Sequence, residues 1–320
     1  MKKPIFPQMA NLVIAKQYIK YFIAKYEVYL LPLSKFALSF LVLVFINDTM
    51  GYMTRLDSVA VVLIAALMCS FMPQNFSVVM AAAFIIAHLY AVSLECAVVI
   101  TAMFILMFLL YYRFSPKDTL VLLLTPICFY LKIPYVIPLA LGLLSTPLSA
   151  VSAACGVIVY YTLAYIVGNI ATLTAMAADD MAVRFRYIID GIMQSREMLV
   201  MVAAFAAIII VVYLIRRLSI AHSWLIATVT GSLLGILVLL LGDLMWDAQV
   251  DVWGTVLAML IAIALTKIIE FFAFHVDFNR AEKVQFEDDE YYYYVKAVPK
   301  ITVATPARKV KKIHSPRKGE

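Results

Sequence analysis

Charge is what this sequence has least of: only 14% of its 320 residues are Asp, Glu, Lys or Arg, against about 25% in an ordinary soluble domain. The shortage is also uneven. Between Thr119 and Ala178 the sole charged side chain is Lys132. So long a stretch cannot form the half-wet surface of a soluble fold, and lipid or other membrane helices must surround it.

Catalytic signatures are missing as well. The chain contains no HExxH, GxSxG, Walker A or GxGxxG pattern. Leu240-Leu241-Gly242-Asp243 lacks the first glycine of the GxGD pattern of intramembrane aspartyl proteases, and no Tyr-Asp pair occupies an earlier helix. The histidines His88, His222, His275 and His314 are far apart in sequence, which argues against a histidine-rich metal centre. The cysteines Cys69, Cys96, Cys128 and Cys155 show no CxxC spacing and lie in or beside apolar segments, as small buried hydrophobes do. These absences point away from an enzyme, a metal site and a cofactor. A cleavable signal peptide is not expected either, because the first long apolar run begins only near Leu30, behind Lys2, Lys3, Lys16, Lys20 and Lys25.

What the chain does have is hydrocarbon: 65% of its residues are hydrophobic and its mean hydropathy is +0.95. Apolar runs cover roughly 30–47, 58–73, 77–94, 96–112, 119–131, 135–146, 149–173, 198–215, 220–242 and 252–274. A crossing helix needs about 20 residues. The runs 119–131 and 135–146 are short and punctuated by Pro126, Pro134, Pro138 and Pro147, as two short spans or one re-entrant hairpin would be. The expected fold is an all-α polytopic transmembrane bundle: eight spans with a re-entrant hairpin, ten without. Residues 1–29 form a cytoplasmic amphipathic segment, 30–274 the bundle and 275–320 a cytoplasmic tail.

Orientation follows from the basic residues. With the N-terminus inside, the early lysines, Arg113, Lys117, Arg216, Arg217 and every basic residue after 274 lie inside. Arg55, Lys132, Arg184, Arg186 and Arg196 lie outside. Lys35 and Lys267 sit near helix ends and can snorkel. The positive-inside rule is satisfied in this orientation only, so both termini are expected in the cytoplasm of a cell with this protein in its plasma membrane.

Flanking segments have their own patterns. Residues 11–26 carry Leu12, Ala15, Ile19, Phe22, Ile23 and Tyr26 on one helical face and Lys16, Lys20 and Lys25 on the other, which suits an anionic inner leaflet. Near 176–197, Met181, Phe185, Ile188, Ile189, Ile192 and Met193 make a helical stripe. Asp179 or Asp180 is placed to cap it, Arg186 pairs with Asp190 at i,i+4, and Gly191 looks a weak point. This reads as an outer interfacial helix. Asp243, Asp247 and Asp251 recur every four residues as an acidic edge at the last outer turn.

In the tail, the acidic quartet Glu287, Asp288, Asp289 and Glu290 precedes Tyr291, Tyr292, Tyr293 and Tyr294. Tyrosines and β-branched neighbours favour extended structure, so a β-hairpin or a strand added to a cytoplasmic protein partner is expected there. The basic end after Pro306 is without core-forming residues, expected to be disordered, and suited to anionic lipid, with no specific nucleic acid implied.

Intramembrane polar residues are functional candidates. His88 stands seven residues before Glu95, two helical turns along one face, although a lone neutral histidine more often hydrogen-bonds a neighbouring helix. The proline-broken region places Pro126, Pro134, Pro138, Ser145, Pro147 and Ser149 together in sequence, and broken helices are where transporters build pathways. Close helix packing is the plainer use of such small residues. The leading expectation is a permease or channel-like subunit working with a cytoplasmic partner. Its alternative is a scaffold for a cell-envelope machine.

Overall fold

Each of the ten apolar runs is helical, with a 19-residue helix before them and a 13-residue helix between two of them. The computed structural model describes residues 7–176, 181–220, 222–246, 251–273, 282–287 and 292–297. The chain divides into two units, Val28–Ala273 and a smaller one made of Met1–Glu27 with Phe274–Glu320.

In the smaller unit α1 spans Pro7–Lys25, and β1 (Glu282–Glu287) pairs antiparallel with β2 (Tyr292–Ala297), Glu287 opposite Tyr292. The expected hairpin therefore forms, while Asp288, Asp289, Glu290, Tyr291 and everything after Ala297 lie outside the described residues. On α1, Ile19, Phe22 and Ile23 stand exposed.

The larger unit contains α2 (Glu27–Met50), α3 (Val59–Phe71), α4 (Gln74–Val92), α5 (Leu94–Phe114), α6 (Thr119–Tyr130), α7 (Val136–Leu144), α8 (Ser149–Gly168), α9 (Ile170–Ala175), α10 (Met181–Met193), α11 (Arg196–Arg216), α12 (Ser223–Trp246) and α13 (Val252–Ala273). Seven of them (α2, α4, α5, α8, α11, α12 and α13) are long and apolar enough to cross a membrane. The larger unit is an all-α, multi-pass membrane bundle. The run 149–173 is not one helix: it ends at Asn169, whose side-chain amide donates to the Tyr165 carbonyl at 2.8 Å, and restarts as α9.

Hydrogen bonds between helix ends give the direction of each helix. At the end where α2 begins, here termed proximal, Ser70 near the close of α3 donates to the Pro32 carbonyl at 2.8 Å and Lys35 donates to the Met72 carbonyl at 3.1 Å. At the opposite, distal end, Asn47 of α2 meets His88 of α4, and Arg196 of α11 donates to the Trp246 carbonyl that ends α12. The α3 helix, only 13 residues long, thus runs back alongside α2. Taken with the alternation of α4, α5, α8, α11, α12 and α13, α2 starts and α13 finishes at the same end.

The two largest apolar cores among the described residues share a helix. One joins α6, α7, α8, α11, α12 and α13 around Phe205, Leu139 and Ile208; the other joins α4, α5, α8 and α10 around Leu89, Ile100 and Ile166. The α8 helix belongs to both. Lipid is as apolar as leucine, so helices associate in it through close packing and hydrogen bonds more than through burial. The tightest seam shows this. A Cβ at Gly231 of α12 would fall 2.2 Å from Val212 of α11, and one at Gly235 would fall 2.7 Å from Ile208. At Gly231 the stiff Val212 leaves room for glycine alone, while at Gly235 the neighbours are the flexible ends of Ile208 and Met259.

The proline-broken pair α6 and α7 is a short helical hairpin. At roughly 18 Å and 14 Å, its arms fall short of the roughly 30 Å hydrocarbon core. Lys132 at its tip takes a left-handed φ of 60°, and Phe129 and Tyr135 flank that tip beside Phe205, halfway along α11. Six of the nine residues of α7 are buried, and it packs on α11, α12 and α13. Protein therefore covers α7, whereas Tyr130, Leu131 and Lys132 at the tip are exposed.

The distal segment carries α10, whose Ile188 is fully buried and which packs against α5 and α8. Met181, Ile189 and Met193 remain exposed, so its apolar stripe is shared between the bundle and the membrane boundary. Arg186 and Asp190 do pair, at 3.4 Å, while Asp179 and Asp180 lie outside the described residues. Gly191, expected as a weak point, is also a contact point. The Tyr165 ring lies where its Cβ would be, 2.0 Å away, and the Tyr165 hydroxyl donates to the Tyr187 carbonyl.

Candidate functional site

Polar groups gather at the two ends of the bundle, and an apolar cavity lies between them. At the distal end the fully buried His88 bridges three segments. Its Nδ1 accepts the Met53 backbone N–H at 3.2 Å, which leaves Nε2–H to donate to Asn47 Oδ1 at 2.9 Å. Asn47 in turn donates to the Leu56 carbonyl at 2.8 Å. A neutral imidazole with both nitrogens engaged fastens the loop between α2 and α3 to α4.

Glu95 is elsewhere. The shared face expected for His88 and Glu95 does not exist, because the backbone turns extended at Ser93, which ends α4 and caps α5 by accepting the Cys96 N–H. Glu95 instead accepts from the Ser93 hydroxyl at 2.5 Å and forms an ion pair with Arg184 of α10 at 3.5 Å. Arg184 also donates to the Met176 carbonyl. Both partners of the pair are largely buried, so α10 is tied to the bundle by charge as well as by Ile188.

At the proximal end, hydroxyls converge on the feet of the hairpin. The Ser145 hydroxyl donates to Asp118 at 3.4 Å, and the Ser149 hydroxyl stands 2.5 Å from that of Ser145. Arg216 at the end of α11 donates to the Ser145 carbonyl at 2.7 Å and lies over the Tyr213 ring. Ser115 and Ser152 bond alongside. Next to them the Tyr111 hydroxyl donates to the Pro116 carbonyl at 2.8 Å and stands 2.5 Å from that of Thr119, which donates to Asn75. One carboxylate, one guanidinium and several hydroxyls thus hold the feet of α6 and α7 against α4, α5, α8 and α11.

The proline-region residues singled out in the sequence therefore occupy three places. Ser145 and Ser149 join the proximal cluster, with Pro147 in the turn between them. Pro134 and Pro138 are buried in the hairpin. Pro126 faces the cavity, a space of about 280 Å³ between α2, α4, α5, α6 and α8 whose lining is almost wholly apolar. Asp118 and Arg216 belong to the cluster without having been singled out. Asp118 is the lone acid before an apolar run, and Arg216 was legible only as a basic residue that sets orientation.

Tyr292, Tyr293 and Tyr294 of the candidate docking segment belong to β2. Among the described residues no group of three His, Cys, Asp or Glu could hold a metal ion, and all four cysteines are free. No family model, curated protein or solved structure matches the chain.

Proposed function

We propose that this chain is a plasma-membrane transport component, permease- or channel-like and without catalytic chemistry of its own, whose α6–α7 hairpin is the working element. The observation that carries the reading is the hairpin itself. Two half-length, proline-bearing helices pack among full-length ones and are footed on a cluster of Asp118, Ser145, Ser149 and Arg216. Broken helices sheltered at membrane depth expose backbone groups to a passing ligand, which unbroken helices cannot do. The proximal end is cytoplasmic in this reading, because the basic residues Arg113, Lys117, Arg216 and Arg217 lie there. The tail hairpin then offers strand edges to a cytoplasmic protein, and the basic flanks offer charge to anionic lipid.

Affinity purification from gently solubilised membranes, with the full chain beside one lacking residues 285–320, tests the partnership. A soluble nucleotide-hydrolysing protein retained by the full chain and lost with the tail is the expected result; retention by both overturns tail docking. Substituting Ser149→Ala or Pro138→Ala should then alter flux of whatever solute the complex moves, at unchanged abundance.

A second reading, a non-transporting scaffold for an envelope machine, is favoured by one observation. The polar clusters at the two ends are separated by apolar core in which the buried polar side chains are hydroxyls such as Thr125, Thr162 and Thr228. In that case the tail and α10 are docking surfaces, and envelope proteins co-purify in place of an ATPase.

A further inference from the structure

The cavity beside Pro126 has a shape and chemistry that select one class of occupant. Its walls follow α6 from Leu122 to Tyr130 and α8 from Val159 to Val167. Eight residues of helix are about 12 Å, so the space is elongated along the bundle. No charged side chain lines it. Water has too few partners in such a space and leaves it dry, and the helices around it cross a membrane whose interior supplies only hydrocarbon.

Its mouth differs from its depth. Thr49, Tyr130 and Ala164 are exposed there, and the Tyr130 hydroxyl donates at 2.8 Å to Asp48, near the distal end of α2. The inner wall, at Val78 and Leu122, reaches towards the proximal end. The α2 helix, which closes one side, packs through Val42 and Leu43 and bonds α4 through Ser39 to Ser77 and Asn47 to His88. One polar end near a membrane boundary and an apolar slot leading inward match an amphiphile lying along the bundle.

We propose that this cavity binds the single hydrocarbon chain of a membrane amphiphile, with the polar end of that molecule at Asp48, Thr49 and Tyr130. The site is independent of the transport reading. It stands whether the lipid is cargo, a regulator or a structural ligand.

The test uses the full chain in nanodiscs of phosphatidylglycerol and phosphatidylethanolamine, with a trace of phosphatidylglycerol bearing a photoreactive diazirine in its acyl chain. After illumination, adducts are mapped by peptide mass spectrometry. They should concentrate on the lining of α2, α6 and α8 and saturate as probe rises, whereas labelling of the lipid-facing Ile105 and Leu109 rises in proportion to probe. Ala164→Trp at the mouth, or Ala81→Phe within, should lower cavity labelling about tenfold, equivalent to roughly 1.4 kcal/mol of binding. Unlabelled prenyl phosphate and unlabelled acyl lipid, added separately, reveal which chain type competes. Labelling that never saturates, or that both variants leave unchanged, overturns the proposal. If neither variant inserts stably, saturation in the unmodified chain decides alone.

Discussion

His88 shows how a residue that reads as functional resolves when its neighbours are known. A histidine within an apolar helix is expensive unless its nitrogens are bonded, and here both are, to Met53 and to Asn47. These bonds fasten the loop between α2 and α3 to α4. His88→Leu strands the Met53 N–H and the Asn47 carbonyl in a buried site, and should lower stability by about 1–3 kcal/mol in thermal unfolding of the purified protein. Loss of function at full stability would instead restore a proton role. Glu95 and Arg184 make a second residue-scale case. Removing one member of a buried pair leaves an unpaired charge, so Glu95→Ala should cost about 3–5 kcal/mol, while Glu95→Gln with Arg184→Met should recover part of that loss. A double-mutant cycle with no coupling would show that the pair contributes nothing. A bond from His88 to a neighbouring helix is legible in the sequence, but its partners and the Glu95–Arg184 pair are not. The break at Ser93 hangs on one capping serine within an apolar sequence, and Arg184 reaches Glu95 across 89 positions of chain.

Elements were easier to read than their joints. All ten apolar runs are helices because hydrophobicity alone makes a spanning segment, and the short proline-bearing pair stood out by length and composition. The joints depend on single polar side chains, and so the run 149–173 hid the break at Asn169. Glycine roles depend on neighbours in the same way. Gly191 weakens an isolated helix, yet in the bundle it makes room for the Tyr165 ring; Gly231 and Gly235, one turn apart, had gone unremarked although their spacing is the pattern of a close helix pair. Gly235→Leu should force α12 from α11 and cost about 1–3 kcal/mol, read as a fall in the unfolding midpoint, whereas Leu233→Ala on the exposed face should change little. Equal effects from the two would mean that the α11–α12 seam is not tight.

For the whole molecule, composition was decisive about the medium and silent about the task. A chain with so few charges has to be a membrane bundle, and the helices confirm it. The candidate pathway residues were close in sequence but are divided in space among a cavity, a hairpin and a polar cluster, because a helical hairpin sends successive residues to different depths. What unites the molecule is its alternation. The α3 helix returns along α2, the hairpin enters and leaves at one end, and α2 begins where α13 finishes. The account of the tail, the basic flanks and the hairpin feet as cytoplasmic rests on that alternation together with the placement of positive charge.

Single-cysteine accessibility tests it most directly. In a chain whose native cysteines are replaced, cysteine is placed in turn at Arg55, Met72, Asp118, Arg186 and Leu218, and cells are treated with a membrane-impermeant maleimide before or after permeabilisation. The account predicts labelling of the Arg55 and Arg186 positions in intact cells, and of the Met72, Asp118 and Leu218 positions only once the membrane is opened. Labelling of the Met72 position in intact cells would mean that the 13-residue α3 does not cross, and would contradict the account.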